Sequence, residues 1–319
     1  MPTILITGSS GQIGTNLFFR LRESGFEVLG VDRRENTWTD ELPTEILNLA
    51  DRDETKAFAD ERLGEVDLVV HLAAHAKVFE LVEQPERALE NITMVFNALE
   101  WCRLGGLPII FGSSREVYGD IHRIITEESA ADFVIAESPY SASKISGEAL
   151  IYAYQRCYGL ETVTFRFSNV YGRFDNDLER MTRVTPLFID RIAQGQQVVV
   201  YGEGKVLDFT YVDDCVSGIE MGIRNLLVGK VKNQTFNLAF GEGSTLVNLA
   251  EWIAEELGVD SDMKIEPSRP GEVTHYVADI SKARAILGYD PQIPLREGIK
   301  RTIAWWRETG RLGKTSGIR

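Results

Sequence analysis

The stretch "TILITGSSGQIG" (residues 3–14) decides the fold. A short β-branched run breaks at Gly8 into a turn that also holds Gly11 and Gly14, and an amphipathic stretch from Gln12 to Ser24 follows. Glycines at this spacing give a tight turn and let a pyrophosphate approach the backbone. The free amides and dipole of the helix N-terminus then stabilise the anion. A second run, "FEVLGVD" (26–32), ends on Asp32, where a carboxylate accepts hydrogen bonds from an adenosine ribose and repels a 2′-phosphate. The strand–turn–helix–strand unit is therefore expected to cradle a dinucleotide across Gly8, Gly11, Gln12, Ile13 and Gly14, and Asp32 favours NAD over NADP. Arg33 and Arg34 follow directly, placed either to hold such a phosphate or to lie in solvent.

The rhythm continues outward. "TEILNLA" (44–50), "VDLVVHLAA" (66–74), "LPIIFGSS" (107–114) and "ETVTFRFSNVYG" (161–172) alternate with helical stretches near 86–103 and 139–158. Their hydrophobicity is continuous rather than alternating, which marks strands buried on both faces and so a parallel sheet between helices. The expected fold is α/β: a doubly wound parallel sheet (Rossmann) over residues 1–171, with segments of about 208–240 returning to it. Residues 172–207 and 241–308, where Pro, Gly and charge break the rhythm, are expected to form a smaller substrate-binding lobe. The Gly-rich, basic stretch 309–319 reads as a flexible tail.

Bulk properties narrow the function. At 319 residues the chain can bury a large core, and a formal net charge of −14 argues against nucleic acid as a partner. Cys102, Cys157 and Cys215 are scattered and odd in number, which suits free thiols in a reducing cytoplasm. The four histidines do not cluster, so no metal is expected. No run approaches membrane-spanning length.

"SPYSASKISGE" (138–148) sets Tyr140 and Lys144 four residues apart, on one face of a helix. Free tyrosine titrates near about 10, too high for a base at neutral pH, and a nearby ammonium favours the phenolate. Together with the glycine triplet, the segments "HLAA" (71–74), "SSREVYG" (113–119), "YSASK" (140–144), "NVYG" (169–172), "DFTYVDD" (208–214) and "RPGEVTHYVAD" (269–279) resemble an extended short-chain dehydrogenase/reductase. More narrowly they resemble its nucleotide-sugar epimerases, dehydratases and decarboxylases, over nearly the whole chain.

The resemblance implies roles at matching positions. Ser114 orients the sugar 4-hydroxyl, Tyr140 removes its proton, and Lys144 binds the nicotinamide ribose and lowers the tyrosine pKa. Asn48 and Leu49 contact adenine; Leu72, Ala73 and Ala74 line the cofactor's path; Asn91 is a helix asparagine near the lysine. Asn169, Arg183 and Arg269 lie near the nucleotide diphosphate, and Tyr201 lies by the base. Where many relatives carry an arginine before "DF", this chain has Leu207, so either Arg183, Arg269 or a shifted contact compensates or the ligand differs.

"SSREVYG" separates the chemistries. Dehydratases carry an aspartate and a glutamate after their hydroxyl residue, and here Glu116 is present while Arg115 replaces the acid. A guanidinium stays protonated and is a poor proton donor, so dehydration is disfavoured. Arg115 either pairs with a substrate carboxylate, as in a UDP-hexuronate, or is consumed in an ion pair. The expectation is an NAD-dependent nucleotide-sugar 4-epimerase acting on UDP-glucuronate or a UDP-hexose through a 4-keto intermediate and transient NADH. The alternatives are a UDP-glucuronate decarboxylase, which Glu116 leaves open, a net oxidoreductase, and a cofactor-sensing regulator without turnover. Relatives pair the Tyr140 helix in dimers, so a homodimer is expected.

Overall fold

In the computed structural model, which describes residues 1–119, 136–175, 183–268 and 273–312, the apolar runs become a seven-stranded sheet. In chain order the first half holds β1 (Thr3–Thr7), α1 (Gln12–Glu23), β2 (Glu27–Asp32), β3 (Thr44–Ile46), α2 (Arg52–Arg62), β4 (Leu68–His71), α3 (Val78–Glu83), α4 (Glu86–Gly105), β5 (Ile109–Ser114), α5 (Pro139–Tyr158), β6 (Thr162–Phe167) and β7 (Asn169–Tyr171). The second half holds α6 (Val184–Ala193), β8 (Val198–Tyr201), β9 (Val206–Tyr211), α7 (Val212–Leu227), β10 (Gln234–Leu238) and β11 (Gly243–Thr245). It ends with α8 (Leu246–Leu257), β12 (Met263–Glu266), β13 (His275–Tyr276), α9 (Ser281–Leu287) and α10 (Leu295–Glu308).

The main sheet runs β3-β2-β1-β4-β5-β6-β10, every pairing parallel. Its order reverses between β1 and β4, the crevice where such sheets bind ligands. Successive residues of a strand serve opposite faces. Leu5, Val69, Ile109 and Phe111 pack with Met94 and Ala98 of α4 and Ile151 and Tyr154 of α5. Ile4, Ile6, Val70 and Ile110 join Leu17 and Leu21 of α1 and Ile219 and Ile223 of α7 on the other side. Both faces are covered, which is why these runs lack polar alternation.

The second lobe is built on β9, which pairs β7, β11 and β13, with β8 and β12 as a separate parallel pair. Of the 208–240 stretch, α7 and β10 return to the main sheet while β9 does not. After Phe167 the chain leaves the main sheet, and β7 pairs with β9. "TEILNLA" keeps strand geometry only as far as Ile46, because Asn48 then turns the chain, its side chain accepting from the Ala50 amide. Residues 313–319 of the expected tail lie outside the described residues.

Candidate active site

One cleft of about 560 Å³ opens at the carboxyl ends of the strands between the sheet and the second lobe. Its floor is the glycine turn. Gly8 adopts φ +75°, and a Cβ there would lie 2.8 Å from the Ala73 amide nitrogen. Helix α1 starts at Gly11 with no side-chain cap, so its first amides are left for an anion. Gln12, Ile13 and Gly14 line the same floor.

Asp32 stands at the end of β2, buried, and accepts from the Ser10 amide (3.0 Å) and the Arg34 amide (3.2 Å). Burial pushes its pKa up, and the amides and Arg34 hold it down. Arg33 is exposed at the cleft edge, 3.5 Å from His75 Nε2. Asn48, Leu49, Leu72, Ala73 and Ala74 all line the cleft. Asn91 does not. It sits one layer behind, where its carboxamide bonds both backbone groups of His75 and donates to Ser143 Oγ on α5. The uncapped helix end, the glycine floor and the carboxylate at the β2 end fit a dinucleotide.

The catalytic frame comes from two caps. Ser138 caps α5, accepting from the Ser141 amide, and Pro139 opens the helix, so Tyr140 falls in the first turn. Ser114 ends β5 and caps the short helical turn Arg115–Tyr118, its Oγ accepting from the Glu116 amide at 3.2 Å. Tyr140 is buried against Leu81, Ala88 and Val78, with its hydroxyl toward Ser114. Lys144 is also buried and donates to the Gly112 carbonyl at 2.7 Å.

Here the structure departs from the simplest expectation. Burial pushes the Tyr140 phenol up to about 12, with the Glu116 carboxylate adding to the rise, against a hydrogen bond from Ser114 and the charges of Arg115 and Arg183. Those two arginines, rather than Lys144, are the cations that hold it down. The Lys144 ammonium lies 5.9 Å from the centre of the Tyr140 ring and 5.1 Å from that of Phe111. Burial pulls Lys144 itself down to about 8, opposed by Glu148. His71 beside it is kept neutral, with its pKa pulled to about 3 by burial and by Lys144.

The second lobe faces this centre with charge. Arg115 donates to Asn169 Oδ1 at 3.2 Å, pairs with Glu116 at 3.0 Å and lies over the Tyr276 ring. Arg115 Nη1 and Glu116 Oε2 remain buried without a partner, and both residues line the cleft. Arg183 donates to Gln12 Oε1 (2.7 Å) and Asp175 Oδ1 (3.1 Å), tying the glycine floor to the second lobe. Tyr201 and Leu207 line the cleft wall. Arg269 lies outside the described residues.

Some participants had no strong signal in the sequence. Asp175, buried with Oδ2 unpartnered, lies in a stretch that reads only as loop. Lys205, buried in the cleft wall two residues before Leu207, brings a cation to that wall. Glu148 was available as the residue one turn beyond Lys144, and no motif pointed to it.

A model of the NAD dependent epimerase/dehydratase family matches residues 4–239. A putative UDP-glucose 4-epimerase of Methanocaldococcus jannaschii is 32% identical over 316 residues, spanning 97% of this chain and 99% of that one. A UDP-glucuronate 4-epimerase of Thermodesulfobacterium geofontis is 30% identical over 99% of each chain. Among solved structures, the UDP-glucose 4-epimerase of Thermotoga maritima with UDP-glucose superposes with a TM-score of 0.87 at 30% identity, across 96% of this chain and 99% of that one. With the glycine floor, the β2 carboxylate and the Ser114–Tyr140–Lys144 centre in one cleft, the chain belongs to the NAD dependent epimerase/dehydratase family.

Proposed function

We propose that the protein interconverts the C4 epimers of a UDP-linked hexose or hexuronate through NAD. The observation that carries this reading is the convergence of Ser114, Tyr140 and Lys144 at the mouth of a dinucleotide cradle. NAD, when bound, supplies a reversible hydride acceptor and a positively charged ring. Tyr140 takes the 4-hydroxyl proton and returns it to the opposite epimer. Ser114 orients the hydroxyl, and Lys144, fixed on the Gly112 carbonyl, presents its remaining N–H groups to the cofactor ribose. Ser114 and the charges of Arg115 and Arg183 favour the phenolate during proton transfer, and Glu116 opposes it.

A hexuronate is the finer reading, supported by the unpartnered Nη1 of Arg115. Nη2 is held by Glu116 and Asn169, and Nη1 is the donor left for a carboxylate. A homodimer through α4 and α5 accords with Leu89 and Tyr152, which are 67% and 61% exposed on those helices. Three free thiols suit a reducing cytoplasm.

Proton NMR on UDP-glucuronate and UDP-glucose in parallel tests the reading. The expected products are UDP-galacturonate and UDP-galactose. Tyr140→Phe is expected to slow conversion by roughly 10²- to 10⁴-fold while NAD stays bound. A UDP-pentose from the uronate would make the protein a decarboxylase, and net accumulation of NADH would make it an oxidoreductase.

A further inference from the structure

Behind the catalytic centre, away from the cleft mouth, lies a second cluster of charge. Glu148 follows Lys144 by one turn of α5. Its Oε1 accepts from Ser113 Oγ (2.5 Å) and Arg166 Nε (3.0 Å), and its Oε2 from Arg166 Nη2 (2.6 Å). Arg166 projects from β6, nearly inaccessible, and also donates to the Tyr118 hydroxyl at 3.0 Å. Tyr118 in turn donates to Asn237 Oδ1 on β10 at 2.7 Å. A forked carboxylate–guanidinium pair held on three strands and a helix has little freedom to move.

We propose that the Glu148–Arg166 pair sets the charge on Lys144, making Glu148 a positioning residue that keeps an ammonium in the cofactor cleft. Lys144 is buried, and the hydrogen bond found for its ammonium goes to a neutral carbonyl, so its charge depends on the surrounding field. From β4 it faces His71, which is neutral. β5 offers Gly112, Ser113 and the Phe111 ring, and α5 offers Tyr140 and Glu148. Arg115 and Glu116, from the turn after β5, act on Tyr140 rather than on Lys144. Among the described residues Glu148 is therefore the anion that acts on Lys144. Its effect is limited by Arg166, which occupies both carboxylate oxygens.

The pair yields two shifts of opposite sign, which a purely structural role would not produce. Removing the Glu148 charge takes away the stabilising anion, so Lys144 loses its proton at lower pH. Removing the Arg166 charge frees the Glu148 field, so Lys144 keeps its proton to higher pH. Because Lys144 titrates near about 8, either shift changes the charged fraction close to neutrality.

The test is an NMR titration of the ligand-free protein carrying [ε-¹³C]lysine, with the Lys144 resonance assigned by its loss in Lys144→Met. Glu148→Gln, which preserves shape, is expected to lower the midpoint by about one pH unit. Arg166→Gln is expected to raise it. Glu148→Asp restores the charge and should bring the midpoint back toward the parent. A midpoint within about 0.2 unit of the parent in Glu148→Gln, or shifts of the same sign in both charge-removing variants, overturns the proposal. Should Arg166→Gln not fold, the Gln and Asp variants of Glu148 decide the matter between them. The readout needs no turnover, so it stands or falls apart from the epimerase reading.

Discussion

Burying a lysine costs folding stability, and in this fold the cost can be measured by removing it. The Lys144 pKa is pulled from 10.5 to about 8, chiefly by burial. At about 1.4 kcal/mol per unit, holding the ammonium in place costs about 3 kcal/mol at neutral pH. Lys144→Met keeps the long unbranched chain over Phe111 and removes the charge. It also strips the Gly112 carbonyl of its donor, which costs about 1 kcal/mol. The cofactor-free variant should therefore be about 2 kcal/mol more stable than the parent at pH 7, though inactive.

The sign of the pH dependence follows from proton counting. Between about 8 and 10.5 the unfolded chain holds a proton on Lys144 that the folded chain has released, so parent stability rises with pH across that window. The variant lacks this rise, and its advantage should fade by the upper end of the window. Urea unfolding of both proteins at pH 7 and at pH 10 checks this. A variant less stable than the parent at pH 7, or an advantage that does not change with pH, would show that the native fold solvates Lys144 and that its burial carries no charge penalty.

Two glycines give further tests. Gly14→Ala would set a Cβ 2.4 Å from the Gly8 carbonyl oxygen and 2.8 Å from Ser9 Cα, both backbone atoms that cannot swing away. About 1–3 kcal/mol of overpacking in the pyrophosphate floor should weaken NAD binding by about 5- to 150-fold by calorimetry, and unchanged affinity would remove the cradle from its assigned place. Gly147→Ala would set a Cβ on α5 2.7 Å from Phe111 Cζ, about 1 Å closer than an ordinary carbon contact. Pushing α5 off β5 moves Tyr140 from Ser114, so kcat should fall on the order of 10²-fold while NAD stays bound; activity within twofold of the parent would mean that the helix relaxes without disturbing the pair.

The sequence was most legible where one local rule acts alone. The glycine turn, the aspartate ending β2 and the Tyr-x-x-x-Lys helix depend on close backbone approach, strand ends and helical spacing, so their residue types point directly to their places. The second lobe was harder to read because its pairings are long-range. β9 takes β7, β11 and β13 as neighbours, and β7, read as a continuation of β6, belongs to that second sheet. Charge was the least legible. Lys144 and Tyr140 stand four residues apart as expected, yet Lys144 donates to the Gly112 carbonyl, and the cations acting on the phenol come from Arg115 and Arg183. Spacing placed both on one helical face without saying where the ammonium would point.

Arg115 shows how two readings posed as alternatives become one geometry. The sequence set carboxylate recognition against an ion pair, and the guanidinium is ion-paired within the cleft, with Nη2 on Glu116 and Nη1 unpartnered. A substrate carboxylate at Nη1 would share a single positive charge with Glu116, and two carboxylates so close repel one another. A neutral hexose meets no such repulsion but leaves the buried Nη1 without an anionic partner. For a hexuronate, the carboxylate enters as the second anion on a guanidinium already half neutralised. Even so, the residual positive charge favours the carboxylate over the neutral carbon dioxide into which decarboxylation would convert it. The pairing therefore weakens uronate binding in the ground state while opposing loss of the carboxylate, and of the two uronate reactions it favours inversion at C4.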